Sequence, residues 1–290
     1  MEMVSVFQAI IIGLVQGLTE LFPISSLGHS VILPVLFGWH IDSNASNYLT
    51  FLVATHLATA IALLVFFWRD WVKIVKGLFR SLKARYVDPD DTYARLGWLL
   101  VVGTIPTGLL GLFLEAELTK LFASAKIAAA FLIVNGIILF AAEKVHKFKK
   151  REAPGEIQSD KRLSTKLNWK QSVGIGVIQS AALIPGISRS GASMTGGRFF
   201  GLNNEDAARF SFLLATPIIG AAALLKIPGM FTASMSSMRV AAIIGAVFAG
   251  IAAYFSVKFL VKYFQTKTLY PFAAYCVIAG AIASLYLLVR

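Results

Sequence analysis

The chain predicts an all-α, polytopic membrane protein of six transmembrane helices plus two re-entrant helical hairpins in an inverted-repeat arrangement. Three observations lead there. Hydrophobic residues make up 57% of the 290 and charged ones 14%, where a soluble domain carries about 25% charged; mean hydropathy is +0.72. Leu49–Trp68, Leu96–Leu114, Val240–Val257 and Thr268–Val289 each run without Asp, Glu, Lys or Arg, long enough for a hydrocarbon core of about 30 Å. Two further apolar regions are broken by polar residues and prolines. A soluble protein with buried helices fails on those segment lengths, so one integral membrane domain over 1–290 is expected.

The first hairpin covers about 4–38, broken by Glu20, Pro23, Ser25, Ser26 and Gly28. No small-residue cleavage site ends the N-terminal run, which is expected to belong to the fold and not to a signal peptide. Full spans are expected at about 48–68, 94–114, 124–142, 206–226, 239–260 and 268–289. The second hairpin covers about 170–202, broken by Gln179, Pro185, Gly186 and Ser188-Arg189-Ser190-Gly191. Irregular backbone at membrane depth survives only where protein or water satisfies its N–H and C=O groups. Between the first two spans, residues 71–86 set Lys73, Lys76, Arg80 and Lys83 at steps of three and four, with Val72, Val75, Phe79 and Leu82 between them. That is a basic amphipathic stretch for the inner leaflet surface; Asp88-Pro89-Asp90-Asp91 ends it and begins the next span. The 143–170 loop, with Pro154 and Gly155, reads as a flexible linker.

The net charge of +12 does not indicate nucleic acid, because Lys and Arg gather beside spans: Arg69 to Arg95, Lys144 to Lys170 and Lys258 to Lys267. Such loops are cytoplasmic by the positive-inside rule. The first hairpin then enters from outside, the second from inside, and both termini fall outside. Opposed hairpins meet near the midplane in inverted-repeat transporters. Gly13-Leu14-Val15-Gln16 before Pro23-Ile24-Ser25-Ser26 echoes Gly176-Val177-Ile178-Gln179 before Pro185-Gly186-Ile187-Ser188. Ala94-Arg95 with Pro106 echoes Ala208-Arg209 with Pro217.

Glu20 is the only charge between Glu2 and Asp42, and Arg189 the only one between Lys170 and Arg198. An ionisable group at bilayer depth costs about 2.5–3.5 kcal/mol on insertion scales and marks function by default. One acid, one cation, several hydroxyls and glycine-rich backbone fit a phosphate or diphosphate. Arginine matches phosphate oxygens with a planar fork, and N–H groups at helix starts add donors. A carboxylate repels phosphate, so Glu20 implies either a bridging divalent metal or a base that activates a nucleophile. Gln16 and Glu20, four apart, share a helix face and both offer oxygen to a hard cation. His29 exchanges protons near neutral pH; donation to phosphate, protonation of a leaving group and attack on phosphorus are all open to it. His56, in mid-span without polar company, reads as structural, as do His40 and His146 at membrane ends. Ser25, Ser26, Ser188 and Ser190 also suit helix caps. Arg198 and Arg209 are expected to reach headgroups by extending their side chains. Cys276, the lone cysteine, excludes a disulfide framework and reads as a small lipid- or helix-facing residue.

Gln16-Gly17-Leu18-Thr19-Glu20-Leu21-Phe22-Pro23-Ile24-Ser25-Ser26-Leu27-Gly28-His29 and Pro185-Gly186-Ile187-Ser188-Arg189-Ser190-Gly191 resemble the two signature motifs of the bacterial undecaprenyl-diphosphate phosphatase family, the bacitracin-resistance type. The likeness covers nearly the whole chain, including Phe210-Ser211-Phe212-Leu213-Leu214 after the second hairpin. It implies removal of the terminal phosphate of the C55 prenyl diphosphate, with Mg²⁺ or Ca²⁺, at the outer face of the bacterial plasma (inner) membrane. The product is the undecaprenyl phosphate carrier reused for cell-wall synthesis. By position, Glu20, Ser26, His29 and Arg189 become the catalytic set, Ser25, Gly28, Ser188, Ser190 and Gly191 bind substrate, and Glu20 with Gln16 holds the metal. Two residues depart from the family's pattern. Gln16 stands where the family often has glutamate, leaving Glu20 the only carboxylate, and Leu27 replaces a common threonine. Expected partners are the lipid substrate and membrane lipids, with a homodimer allowed and nucleic acid excluded. Attack by Ser26 and attack by a water activated by Glu20 both remain open. A metal-independent type 2 lipid phosphatase needs a Lys-x6-Arg-Pro start and a histidine six beyond its arginine; here that residue is Thr195. A lipid transporter or flippase is the other rival.

Overall fold

The computed structural model of the chain describes residues 4–41, 45–114, 124–147 and 159–289. Among these there is helix and no strand. The linker expected around Pro154 and Gly155 and the side chain of His146 lie outside the described residues. Twelve α-helices follow in order: α1 (Val6–Leu21), α2 (Ser26–Leu36), α3 (Ser46–Phe66), α4 (Trp68–Ala84), α5 (Thr92–Phe113), α6 (Ala125–Lys147), α7 (Ser159–Lys166), α8 (Trp169–Gln179), α9 (Arg189–Phe199), α10 (Asn204–Lys226), α11 (Arg239–Tyr263) and α12 (Tyr270–Val289). A 3₁₀ turn, Ser180–Leu183, follows α8. Six of these helices are long and apolar enough to cross a membrane: α3, α5, α6, α10, α11 and α12. These are the six expected spans.

Both helix pairs that interrupt the spans are short, and their boundaries follow from caps and prolines. Ser5 opens α1 with a capping box to Gln8, and Asn168 opens α8 with the same device to Gln171. The residue before a proline avoids the helical region, so α1 stops at Phe22, whose ψ is 140°. Ser25 and Ser188 cap α2 and α9, each side chain accepting from the amide three residues on.

Packing runs crosswise. Helix α1 lies chiefly on α11, and α8 on α5, while α11 also packs on α3, α5 on α10, and α6 on α12. A Cβ at Gly13 would strike the Gly245 carbonyl, and one at Gly176 the Gly103 carbonyl. The two repeat-related glycines therefore do the same work, letting backbones touch as small residues do between membrane helices. The repeat needs one correction: α5 stands to α8 as α11 stands to α1, so Pro106 of α5 and Pro217 of α10 are not structural equivalents.

Helix α4 follows α3 after the single residue Phe67 and packs on α5 through Ile74, Gly77 and Ser81. Val72, Val75, Phe79 and Leu82 stay exposed, as an amphipathic surface helix requires. Asp91 ends the acidic run as the N-cap of α5 and pairs with Arg80 at 2.7 Å. At this same end, Arg209 bonds Asp160 and Asp70 and stacks over Phe67. Arg198 is buried against Glu143. Neither arginine extends to headgroups as expected, because acidic partners on other helices hold both.

Candidate active site

Two helix tips meet in the centre of the bundle. On the first, Gln16 and Glu20 sit one turn apart on α1, both buried. Ser25 then takes φ 67°, a left-handed conformation that strains a non-glycine residue by about 1–3 kcal/mol. That turn starts α2 immediately and sends the Ser26 hydroxyl back onto Glu20 Oε2 at 2.5 Å. On the second tip, Arg189 is the first residue of α9. Its Nε and Nη2 both donate to Glu20 Oε1 at 3.1 Å, and Nη1 donates to the Ser211 carbonyl at 3.4 Å. Acid and arginine, 169 positions apart, thus form one ion pair.

The tips are stitched together around this pair. Ser190 Oγ donates to the Phe22 carbonyl at 3.1 Å, and Ser188 Oγ lies 3.0 Å from Ser190 Oγ. Asn135 of α6 clamps both, donating to the Pro23 carbonyl and accepting from the Ser188 amide, each at 3.0 Å. It also donates to Cys276 Sγ at 3.3 Å, so the lone cysteine faces helices. Gly28 packs beside Gly186, and Gly191 beside Asn135 and Ser188. The N-termini of α2 and α9 are therefore neighbours. In each, the cap side chain and carbonyl serve the third and fourth amides, which leaves the first two for a ligand. Paired helix N-termini beside a guanidinium are chemically suited to an anion.

The expected residues do not all converge. Glu20, Gln16, Ser26 and Arg189 form one hydrogen-bonded cluster. His29 bonds outside it: Nδ1 lies 2.7 Å from the Ser25 carbonyl and Nε2 2.8 Å from the Tyr275 hydroxyl, with the two rings stacked. The Nδ1–H tautomer satisfies both contacts. His56 is not without polar company, contrary to what its sequence context suggests. Its Nε2 lies 3.3 Å from Glu20 Oε2 and its Nδ1 2.8 Å from the Leu52 carbonyl, because α3 runs past the end of α1. Asn135, Tyr275 and Ser211 also went unnoticed; Asn135, the lone amide in an apolar span, carried a sequence signal, while Tyr275 carried none.

The donor set admits a divalent cation. Gln16 donates through Nε2 to Glu20 Oε2 at 3.0 Å, and its Oε1 is buried without a partner. That orphaned oxygen beside Glu20 and the Ser26 hydroxyl is hard-oxygen chemistry. Mg²⁺ commonly takes only one or two carboxylates and completes its shell with substrate phosphates and water. No group of three His, Cys, Asp or Glu converges on a metal position among the described residues, so such an ion would depend on the substrate for ligands.

Fold and site together define a helical membrane protein with a buried acid–arginine–serine cluster where two helix pairs meet. The family model described as "Bacitracin resistance protein BacA" matches residues 9–282, and the chain belongs to that family. It is 45% identical to a protein named undecaprenyl-diphosphatase from Mycolicibacterium paratuberculosis, over 99% of this chain and 98% of that one. It is 41% identical to undecaprenyl-diphosphatase 2 of Frankia alni over 98% of each, and 44% identical to undecaprenyl-diphosphatase 1 of Burkholderia pseudomallei over 95% of each.

Proposed function

We propose that this chain is an undecaprenyl-diphosphatase, a membrane hydrolase that releases the terminal phosphate of the C55 prenyl diphosphate and so recycles the carrier for cell-wall synthesis. Bacitracin resistance follows from the same activity. The observation that carries the site assignment is Glu20, which holds the Ser26 hydroxyl on one oxygen and Arg189 on the other. A hydroxyl 2.5 Å from a carboxylate is the geometry of an activated nucleophile. Glu20 takes the Ser26 proton as Oγ attacks the terminal phosphorus. The anhydride P–O bond breaks, and its electron pair leaves on undecaprenyl phosphate. Water then cleaves the phosphoserine P–O bond, releasing inorganic phosphate and restoring the hydroxyl.

Arg189, the open amides of α2 and α9, and the hydroxyls of Ser188 and Ser190 stabilise the charge spread over the transferring phosphoryl oxygens. Ser25, Gly28 and Gly191 shape the two tips. His29 is assigned as a phosphate donor through Nε2, which must take up a proton once the Tyr275 hydroxyl leaves it. Glu20 and Gln16 are assigned to hold Mg²⁺ or Ca²⁺, whose chemistry would be to neutralise the diphosphate beside the carboxylate.

Helix α1 is about 24 Å long at 1.5 Å per residue, too short to cross the hydrocarbon, which supports re-entrant hairpins. Helices α4, α7 and the start of α10 gather at one end through Arg209, Asp70 and Asp160. The described basic residues of α4 and α7 lie there too, which supports a cytoplasmic end and a site opening outward from the plasma membrane. A second copy of the chain is the remaining partner, and sedimentation in detergent counts the copies.

The deciding measurement is phosphate release from prenyl diphosphates by purified protein in detergent, with and without EDTA. Ser26→Ala should lose at least about a thousandfold in kcat; substantial residual turnover would transfer the attack to water. Chelation should suppress wild-type release, and no release at all from the wild type favours exclusive transport.

A further inference from the structure

We propose that His56 is a positioning residue that holds Glu20 when Arg189 turns to the diphosphate. The inference rests on the diphosphatase reading and adds a residue to its site. Both ring nitrogens of His56 face acceptors: the Leu52 carbonyl at 2.8 Å and the Glu20 carboxylate at 3.3 Å. The Nδ1 bond runs back along α3 to the residue four before, which fixes the ring plane and aims Nε2 at Glu20.

Arg189 and His56 divide the carboxylate between them. Arg189 spends both Nε and Nη2 on Oε1, while His56 joins Gln16 and Ser26 on Oε2. In this state the arginine fork is committed to Glu20, yet a fork of that shape is the group that receives phosphate oxygens. When diphosphate arrives, Arg189 must change partners. Glu20 is 5% exposed, and a carboxylate that loses hydrogen-bond donors at that depth is strongly disfavoured. His56 removes this obstacle by remaining on Oε2, a face that Arg189 does not use.

The neutral side chain at position 16 makes the arrangement coherent. A second carboxylate there would claim His56 or Arg189 for itself. Gln16 instead donates to the same oxygen and leaves Arg189 and His56 both facing Glu20. His56 thus works through Glu20 without touching substrate, and its removal should weaken ground-state binding of the diphosphate more than the chemical step.

The test uses the full-length protein in detergent, farnesyl diphosphate as substrate, and separate determination of KM and kcat for wild type, His56→Gln and His56→Asn. Glutamine places an amide N–H where Nε2 stands; asparagine is a methylene too short to reach Glu20. His56→Asn should raise KM about tenfold or more while kcat changes less than about threefold, the pattern of lost binding. His56→Gln should return KM to within about threefold of wild type. Calorimetric titration with methylenediphosphonate reads the same contact without turnover, and His56→Asn should weaken its Kd by a similar factor. Equal KM in the two variants, a fall in kcat alone, or an unchanged Kd would overturn the proposal. Should His56→Asn not fold, His56→Ala supplies the variant without a donor. Absence of phosphate release by the wild type would sink the diphosphatase reading instead, and the methylenediphosphonate affinities would still decide the role of His56.

Discussion

The two hairpins use one plan and arrive at opposite charges. In each, a glycine presses on a neighbouring backbone carbonyl, Gly13 on Gly245 and Gly176 on Gly103. Three residues on, each carries a buried glutamine whose Oε1 has no partner. Each ends in a serine-capped second helix. The glutamines then diverge. Gln16 donates to Glu20 on its own helix, whereas Gln179 donates to Thr107 on α5 at 3.2 Å. The turns diverge as well. In the second, Gly186 absorbs the positive φ, 100°, and Ser188 is extended; in the first, Ser25 bears it at 67°. The shared features hold tips in place, and the differences put an acid with a hydroxyl on one tip and a cation on the other. The charged pair at the meeting point is held from outside the repeated scaffold as well, by Asn135 of α6 and His56 of α3.

The contrast breaks most severely at the acid. Glu20→Gln leaves Arg189 facing a neutral amide and Ser26 without a base, and phosphate release should fall by about a thousandfold or more; near-normal turnover would mean that the asymmetry is not functional. The glutamines give a middle-sized test. Gln16→Leu should lower kcat/KM by about 10–100-fold, as loss of a group that orients a site residue does. Gln179→Leu should leave kcat/KM within about threefold and reduce stability by about 1 kcal/mol, read as a lowered thermal midpoint. A matching activity loss in both would erase the distinction. The smallest effect lies at the caps. Ser25→Gly relieves positive-φ strain of about 1 kcal/mol for a cap loss of a few tenths, so its midpoint should rise. Ser188→Gly, at an extended position, has no strain to relieve, and its midpoint should fall.

Much of the architecture was legible in the chain because lipid leaves few choices. A span must be continuously apolar and helical, so the six spans appear as uninterrupted runs. Charges in apolar sequence stand out, so Glu20 and Arg189 were legible as candidates, and the structure pairs them. His56 was not. It sits alone in an apolar span, where a single histidine reads as a satisfied core residue. Its importance comes from Glu20, which is distant in sequence and reaches it only because α1 ends beside α3. Arg198 and Arg209 were misread for the same reason, since Glu143, Asp70 and Asp160 lie on other helices.

The sequence by itself determined which segments cross the membrane, where each hairpin turns, and which polar groups stand at the tips. Those are consequences of local composition, capping and the energy of burying charge. Only the tertiary structure decided who faces whom: Arg189 and His56 on opposite oxygens of Glu20, Tyr275 on His29, Asn135 between the tips. Helix adjacency is set by side-chain packing between segments far apart in sequence, and no periodicity within a single helix records it.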